Sequence, residues 1–412
     1  MLCCGRPEVD GEVKGKGSPH VKAGGKGKST VDNAPGAFGS PVPMFPTSDD
    51  DEFHDAEDTL DTLDHGPGSG TALERNVSAA VRDAGGVTLT EQPSTKPNDG
   101  PSGCVIPRHD IPFETPESGI ALSWSANKEG KGFKLRGKNY TSDKKKYPSD
   151  VPLFDVVEVL AVRSDTKTLD MGELIYGWDI GSVIHGCPTV YIANLMLPDY
   201  PPLNPVFGKY DRKVGPDGPG QHICVVARMS NSTRKILEES GGDLNKMPPD
   251  IALMSKHFNA NSGADANGLD APPHADKFRH VTKMVCMVAA GTEELPWAVR
   301  VAIGQGNGKP FMVNKTGFFH KKKGYFEIGV NAHNFGPVAT NGLRNCHGYF
   351  SKLVLDIGVT LQGGNTDELP ERLLFAFRAV KPDLTKIHTH VDSLKTLGKD
   401  SKPWLDWDAV EG

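Results

Sequence analysis

Large apolar side chains are scarce where this 412-residue chain begins. Of its 30 aromatic residues only Phe38, Phe45 and Phe53 lie within residues 1–105, and none of these is Trp or Tyr. The same stretch holds 26 of the 79 Gly and Pro residues. So few large apolar groups cannot offset the entropy of ordering the chain, which excludes a core there, and residues 1–105 read as a disordered tail. Long apolar runs are also missing. No 18 consecutive uncharged apolar residues occur, which excludes a membrane-spanning helix, and no apolar h-region marks a secretory signal. The seven cysteines form no CxxC pair and are odd in number, as in a reducing compartment rather than a disulfide framework. The sequons at Asn76, Asn139, Asn231 and Asn314 are then chance matches. A formal net charge of −6 gives no support to general nucleic-acid binding.

What the tail does contain is uneven charge beside two thiols. Cys3 and Cys4 stand next to Arg6, Lys14, Lys16, Lys22, Lys26 and Lys28, a pattern that suits S-acylation reinforced by a basic stretch. Leu2 in place of Gly excludes N-myristoylation. The run Met1 to Cys4 resembles the palmitoylated start of neuromodulin-type proteins. Residues 49–64 then carry nine carboxylates and no Lys or Arg, a block that repels anionic lipid and stays extended. Ser48, directly before it, resembles an acidophilic-kinase site at which phosphate would add to the repulsion. Gly27-Lys28-Ser29-Thr30 lacks the earlier glycine and the preceding strand of a phosphate loop.

From residue 106 onward strand signals recur. Residues 153–162 and 189–197 are nearly continuous apolar runs, residues 221–228 and 298–303 are weaker candidates, residues 325–331 and 353–361 alternate, and residues 373–380 close the series. Between them, Phe335, Val338, Leu343, Cys346, Tyr349 and Leu353 recur at roughly helical spacing despite Gly336, Pro337, Gly342 and Gly348. The expected class is α+β: a largely antiparallel β-sheet with one long C-terminal helix and minor helices. Three regions follow: the tail 1–105, a domain 106–385 with a Gly-, Asp- and Pro-rich surface insertion at about 241–273, and an extension 386–412.

Several stretches of wording point to a family. Lys134-Leu-Arg-Gly-Lys-Asn-Tyr-Thr-Ser-Asp-Lys-Lys-Lys146 is followed by Pro152-Leu-Phe154. Later come Asn314-Lys-Thr316, Tyr325-Phe-Glu-Ile-Gly-Val330, Leu343-Arg-Asn-Cys346, residues 354–362 and Glu368-Leu-Pro-Glu-Arg-Leu-Leu374. In this order they resemble the C-terminal domain of the plant enhanced disease resistance 2 family, in its stand-alone form, over residues 130–385. The resemblance implies a membrane-associated regulator and supplies no catalytic residues. In the protein that names the family the domain follows phosphoinositide- and lipid-binding domains, for which the tail has no room.

Residues 128–146 contain eight Lys or Arg with Phe133 and Tyr140 interleaved, and His320 to Lys323 forms a second basic cluster. Lys134, Arg136, Lys138, Lys144, Lys145, Lys146, Lys321, Lys322 and Lys323 are the candidate contacts to anionic lipid, each worth about 1 kcal/mol near headgroups. The competing reading makes Arg136 and Asp143 structural and the lysines a solvated rim. Residues 304–309 read as a Gly-rich turn rather than a phosphate loop, and His388 and His390 lack further ligands at zinc spacing. Cys187, Cys224, Cys286 and Cys346 sit among apolar residues and read as core, and Asp356 reads as outward-facing. No catalytic residue, metal or cofactor is expected. The expectation is a non-enzymatic, membrane-peripheral regulator on the cytoplasmic face of a membrane. Its domain binds anionic lipid, a phosphoinositide or another, and not nucleic acid. A protein-interaction scaffold with an unknown partner and a lipid carrier with an internal apolar cavity are the alternatives.

Overall fold

The computed structural model describes residues 104–176, 180–199, 218–261, 276–313, 317–335, 343 and 346–396. Cys3, Cys4, Ser48 and the acidic block lie outside these residues. The tail's last two residues are already part of the fold, since Cys104 is buried and Val105 bridges to Leu160.

Fourteen strands form two five-stranded sheets and two short ribbons among the described residues. The first sheet has the order β1 (Ser123–Ala126), β14 (Leu373–Val380), β13 (Val354–Leu361), β9 (Thr282–Ala290), β10 (Pro310–Met312), and every pairing in it is antiparallel. The second has the order β11 (Gly317–Lys321), β12 (Tyr325–Asn331), β7 (Val190–Pro198), β8 (Gly220–Met229), β4 (Phe154–Ser164), with β12 and β7 parallel. The ribbons are β2 (Lys134–Arg136) with β3 (Lys146–Pro148), and β5 (Val183–Ile184) with β6 (Cys187–Pro188). The helices that lie wholly within the described residues are α1 (Tyr140–Asp143), α2 (Met171–Tyr176), α3 (Asn231–Ser240), α4 (Pro249–Ala260), α5 (Asp276–Arg279) and α6 (Trp297–Gly306), with short 3-10 turns between elements.

Val, Ile and aromatic residues favour strands because their stiff side chains pack well on a pleated surface. The continuous apolar runs become strands covered on both faces. Tyr191 sits between the sheets, with ring centroids of Phe326, Phe375, Phe154 and Phe258 at 5.4, 5.6, 5.8 and 6.2 Å. Phe375 comes from the first sheet and Phe258 from α4, so the rings tie both sheets and the helix into one apolar cluster. The opposite face of the second sheet packs Leu160, Ile192, Val226 and Tyr325 against Met171 and Ile175 of α2.

Five expectations are corrected. The helix expected over 335–353 is not one element, because Phe335 is extended (φ −65°, ψ 147°) and Phe350–Lys352 is a 3-10 turn. Gly348 precedes that turn, and glycine weakens a helix interior. Within that stretch Leu343, Cys346 and His347 are helical. Residues 298–303, read as a weak strand, belong to α6, where Val299 and Ile303, together with Leu295 just ahead of the helix, recur every four residues and are buried together. Residues 249–260, assigned to a surface insertion, form α4 and bury Ile251, Leu253, Met254 and Phe258. The alternation at 325–331 predicted a half-buried strand, yet all seven residues are buried. Asp356, read as outward-facing, is buried and paired with Arg378 at 2.7 Å. Its face of β13 is covered by Phe133, which lies so close that a Cβ on Gly358 would come within 2.7 Å of it. At the other end, residues read as an extension stay packed, since Arg163 donates its N–H to Thr389 O at 2.8 Å and Val391 and Leu394 are buried.

Candidate functional site

The sequence motif 134–146 folds into a hairpin closed by α1. Arg136 stands opposite Lys146, and Leu135 opposite Tyr147. The Lys144 N–H caps α1 by donating to Tyr140 O at 3.1 Å, with Lys144 itself left-handed at φ +54°. Asp143 Oδ1 accepts the Lys145 N–H at 2.9 Å, so this acidic residue shapes the turn. Gly137 donates its N–H to Lys145 O at 3.1 Å. A Cβ there would fall 2.4 Å from the Tyr147 ring, so only glycine lets the ring lie against the backbone.

Beneath the hairpin Phe133 and Leu135 join Val285, Leu373 and Ala376 in a small apolar cluster. A buried carboxylate fixes the ribbon to the first sheet. Glu371 accepts from Lys283 Nζ at 2.6 and 2.7 Å, from the Gly363 N–H at 3.2 Å and from the Arg136 N–H at 3.3 Å. Its own N–H donates back to Arg136 O at 2.9 Å. The Arg136 guanidinium approaches Glu371 at 3.8 Å, donates to Gly363 O at 3.3 Å and lies 4.7 Å over the Tyr140 ring. Burial lowers the Lys283 pKa, Glu371 opposes that, and Arg136 and Lys146 lower it further. The buried Lys283 and the largely buried Arg136 thus both face Glu371 beneath a surface of exposed lysines. The neighbouring motif residues are equally occupied. Glu368 accepts from Lys277 at 2.6 Å and from the Gly364 N–H at 2.7 Å, while Arg372 pairs with Asp250 at 3.2 Å and donates to Val151 O.

Lys134, Lys138, Lys144, Lys145 and Lys146 are therefore brought together on the exposed surface of one ribbon, and Arg136 is turned inward as its anchor. The aromatic residues picked out by position, Phe133 and Tyr140, are both buried. Tyr147, which directly follows the lysine run, is the exposed one at 51%. Trp297, 72% exposed in the first turn of α6, also escaped notice. Its only sequence signal is a Pro-Trp pair ahead of the four-residue repeat.

The second basic cluster, in the turn from β11 to β12, differs. Lys321 is half-buried, donates to Asn259 Oδ1 at 3.3 Å and has its pKa lowered by burial. Lys322 pairs with Asp170 at 3.2 Å, and of the three lysines Lys323 alone is exposed. Under this turn lies a buried polar network. Asp170 also accepts from Tyr325 OH at 2.8 Å and from the Glu173 N–H at 3.1 Å. Glu327 accepts from the N–H groups of Gly172 and Met171 at 2.8 and 3.1 Å and from Asn194 Nδ2 at 3.1 Å. Burial pushes the Glu327 carboxyl up to about 8 against its backbone hydrogen bonds, with Asp170 adding to the rise. His222 accepts the Thr168 N–H on Nε2 at 3.3 Å and faces Asn194 Oδ1 with Nδ1 at 2.9 Å. That arrangement makes Nδ1 the donor, and burial holds the imidazole down to about 4. The network fastens the start of α2 to the second sheet.

Burial likewise raises the thiols of Cys187, Cys224, Cys286 and Cys346, which works against thiolate chemistry. Among the described residues no three His, Cys, Asp or Glu side chains are grouped to hold a metal ion, and no helix is long and apolar enough to cross a membrane.

Compared with known families, residues 124–383 match the model described as Protein ENHANCED DISEASE RESISTANCE 2, C-terminal. No curated protein and no solved structure matches the chain.

Proposed function

This chain belongs to the enhanced disease resistance 2 C-terminal family, and from that premise we propose that it is a non-catalytic, membrane-peripheral regulator whose domain contacts anionic lipid through the β2–β3 hairpin. One observation carries the reading: five exposed lysines and a half-exposed Tyr147 share a ribbon clamped from below by Glu371, Lys283 and Arg136. Lysines near a membrane surface each contribute about 1 kcal/mol, and a tyrosine suits the interface because its ring is apolar and its hydroxyl wet. Acyl chains on Cys3 and Cys4 would supply the second anchor that stable attachment needs, holding the protein at the cytoplasmic face of a membrane. The rings of Phe326, Phe375 and Phe258 pack around Tyr191 between the sheets, and carriage of an enclosed lipid is the alternative reading. The scaffold reading draws on a different feature, the exposed Trp297 on α6.

Flotation of the unacylated full chain with vesicles tests the reading. Binding is expected to vesicles containing about 30 mol% phosphatidylserine or a few per cent phosphoinositide. It should be absent on phosphatidylcholine alone and lost when salt rises from about 50 to about 300 mM. Equal binding to all vesicles, or to none, would reject the hairpin as an anionic-lipid contact.

A further inference from the structure

The turn of the β2–β3 hairpin holds an exposed serine among its lysines. We propose that Ser142 is a phosphorylation site for a basophilic serine/threonine kinase and that phosphate there releases the hairpin from anionic lipid; the release rests on the lipid-contact reading, the modification does not.

The residues around Ser142 are the first support. Lys138 stands four positions before it, and Lys144 and Lys145 stand two and three after it. Cations on both sides of a serine are what an acidic kinase cleft reads by charge. Ser142 and these three lysines are exposed, and from Thr141 to Pro148 only Asp143 is half-buried. Asp143 turns its carboxylate to the chain, where Oδ1 accepts the Lys145 N–H at 2.9 Å. Thr141 differs, since the residue two after it is Asp143 and its Oγ1 lies 3.3 Å from Thr366 Oγ1.

Local structure is the second. A kinase holds its substrate extended, and α1 is a single turn without a side-chain N-cap, so opening it costs little. Ser142 Oγ donates to Asn139 O at 2.9 Å, an exposed bond that opening gives up to water. Ser232 has the same flanks as a string, with Arg228 four before it and Arg234 two after it. There Arg228 is buried, Arg234 pairs with Glu238 at 2.9 Å, and Ser232 lies in the first turn of α3, a ten-residue helix capped by Ser230. The fold presents the string at Ser142 and withholds it at Ser232.

In the transfer, Ser142 Oγ attacks the γ-phosphorus of a nucleoside triphosphate and the bond to the β-phosphate oxygen breaks. The nucleoside diphosphate leaves, and the hydroxyl proton passes to the kinase's carboxylate base. Phosphoserine carries a charge of about −1.5 to −2, which offsets about two of the exposed lysines around it.

The test uses the full chain with Cys3 and Cys4 unmodified, the catalytic domain of a protein kinase C, and magnesium ATP. Mass spectrometry is expected to find phosphate on Ser142 ahead of Thr141 and Ser232, and Lys144→Asn should slow its addition about tenfold. Asn at 144 keeps a residue tolerant of left-handed backbone, and circular dichroism checks that each variant is folded. The phosphorylated chain should partition about thirtyfold more weakly onto vesicles with about 30 mol% phosphatidylserine, and a phosphatase should restore it. Ser142→Ala, treated with the kinase in the same way, should keep its partition. Ser142 left unmodified, or modified as fast in Lys144→Asn, overturns the site. An equal loss of partition in Ser142→Ala overturns the release, because phosphate elsewhere then causes it. Phosphate on Ser142 with unchanged partition also overturns the release. Should the hairpin variant Lys138→Ser, Lys144→Asn, Lys145→Ser keep its partition as well, the lipid-contact reading fails while the site stands.

Discussion

Two lysine clusters that look alike as strings, residues 144–146 and 321–323, differ in what surrounds them. The first extends a ribbon held from within by Glu371, Lys283 and Arg136, and Lys144, Lys145 and Lys146 are all exposed. The second closes a turn over Asp170 and Asn259, which engage Lys322 and Lys321. How exposed a run of lysines is depends on residues far away in sequence: Glu371 is 235 residues from Arg136, and Asp170 is 155 from Tyr325.

The contrast can be broken at its base. Glu371→Ala leaves Lys283 buried without its carboxylate and is expected to cost about 3–5 kcal/mol in urea denaturation. A loss below about 1 kcal/mol would mean that the buried cluster does not hold the hairpin. Next in size is a pH effect under the second cluster. Glu327 has a folded pKa of about 8, above its ordinary 4.5. Its contribution to stability is therefore complete below pH 4.5 and lost as pH rises through 8. Glu327→Gln should remove a slope of about 1 kcal/mol per pH unit between pH 5 and 8, read from denaturation midpoints; an unchanged slope would place the titration elsewhere. At acid pH the sign reverses. His222 and His257, held down to about 4 mainly by burial, contribute fully above 6.5 and lose that contribution as pH falls through 4. The smallest effect is expected at the ribbon's rim, where Tyr147→Ser should weaken vesicle binding about fivefold, roughly 1 kcal/mol, with the residual binding more sensitive to salt.

Period-two and continuous apolar runs gave the strands at 153–162, 189–197, 325–331 and 373–380 nearly as they are, because β-branched and aromatic residues carry that signal locally. The helices were obscured by their flanks. Gly241 and Gly242 ahead of α4 drew the eye from Ile251, Met254 and Phe258, and the string Ala298-Val-Arg-Val-Ala-Ile303 alternates well enough to hide the repeat of Leu295, Val299 and Ile303. In the candidate site the lysines picked out by composition are exposed, whereas Phe133 and Tyr140 are buried and Arg136 is turned inward. Phe133 and Arg136 face inward because Gly358 and Glu371, over 200 residues later, make room and charge for them. Only the three-dimensional pairing separates Tyr147 from Tyr140.

The most direct test replaces three lysines at a time in the full chain and measures partition onto vesicles with about 30 mol% phosphatidylserine at low salt. Lys138→Ser, Lys144→Asn, Lys145→Ser is expected to lower partition on the order of 10²-fold, about 1 kcal/mol per lysine. Lys321→Gln, Lys322→Gln, Lys323→Ser, in which only Lys323 is exposed, should lower it no more than about fivefold. Equal losses in the two variants, or the larger loss in the second, would contradict the assignment of the hairpin as the lipid contact.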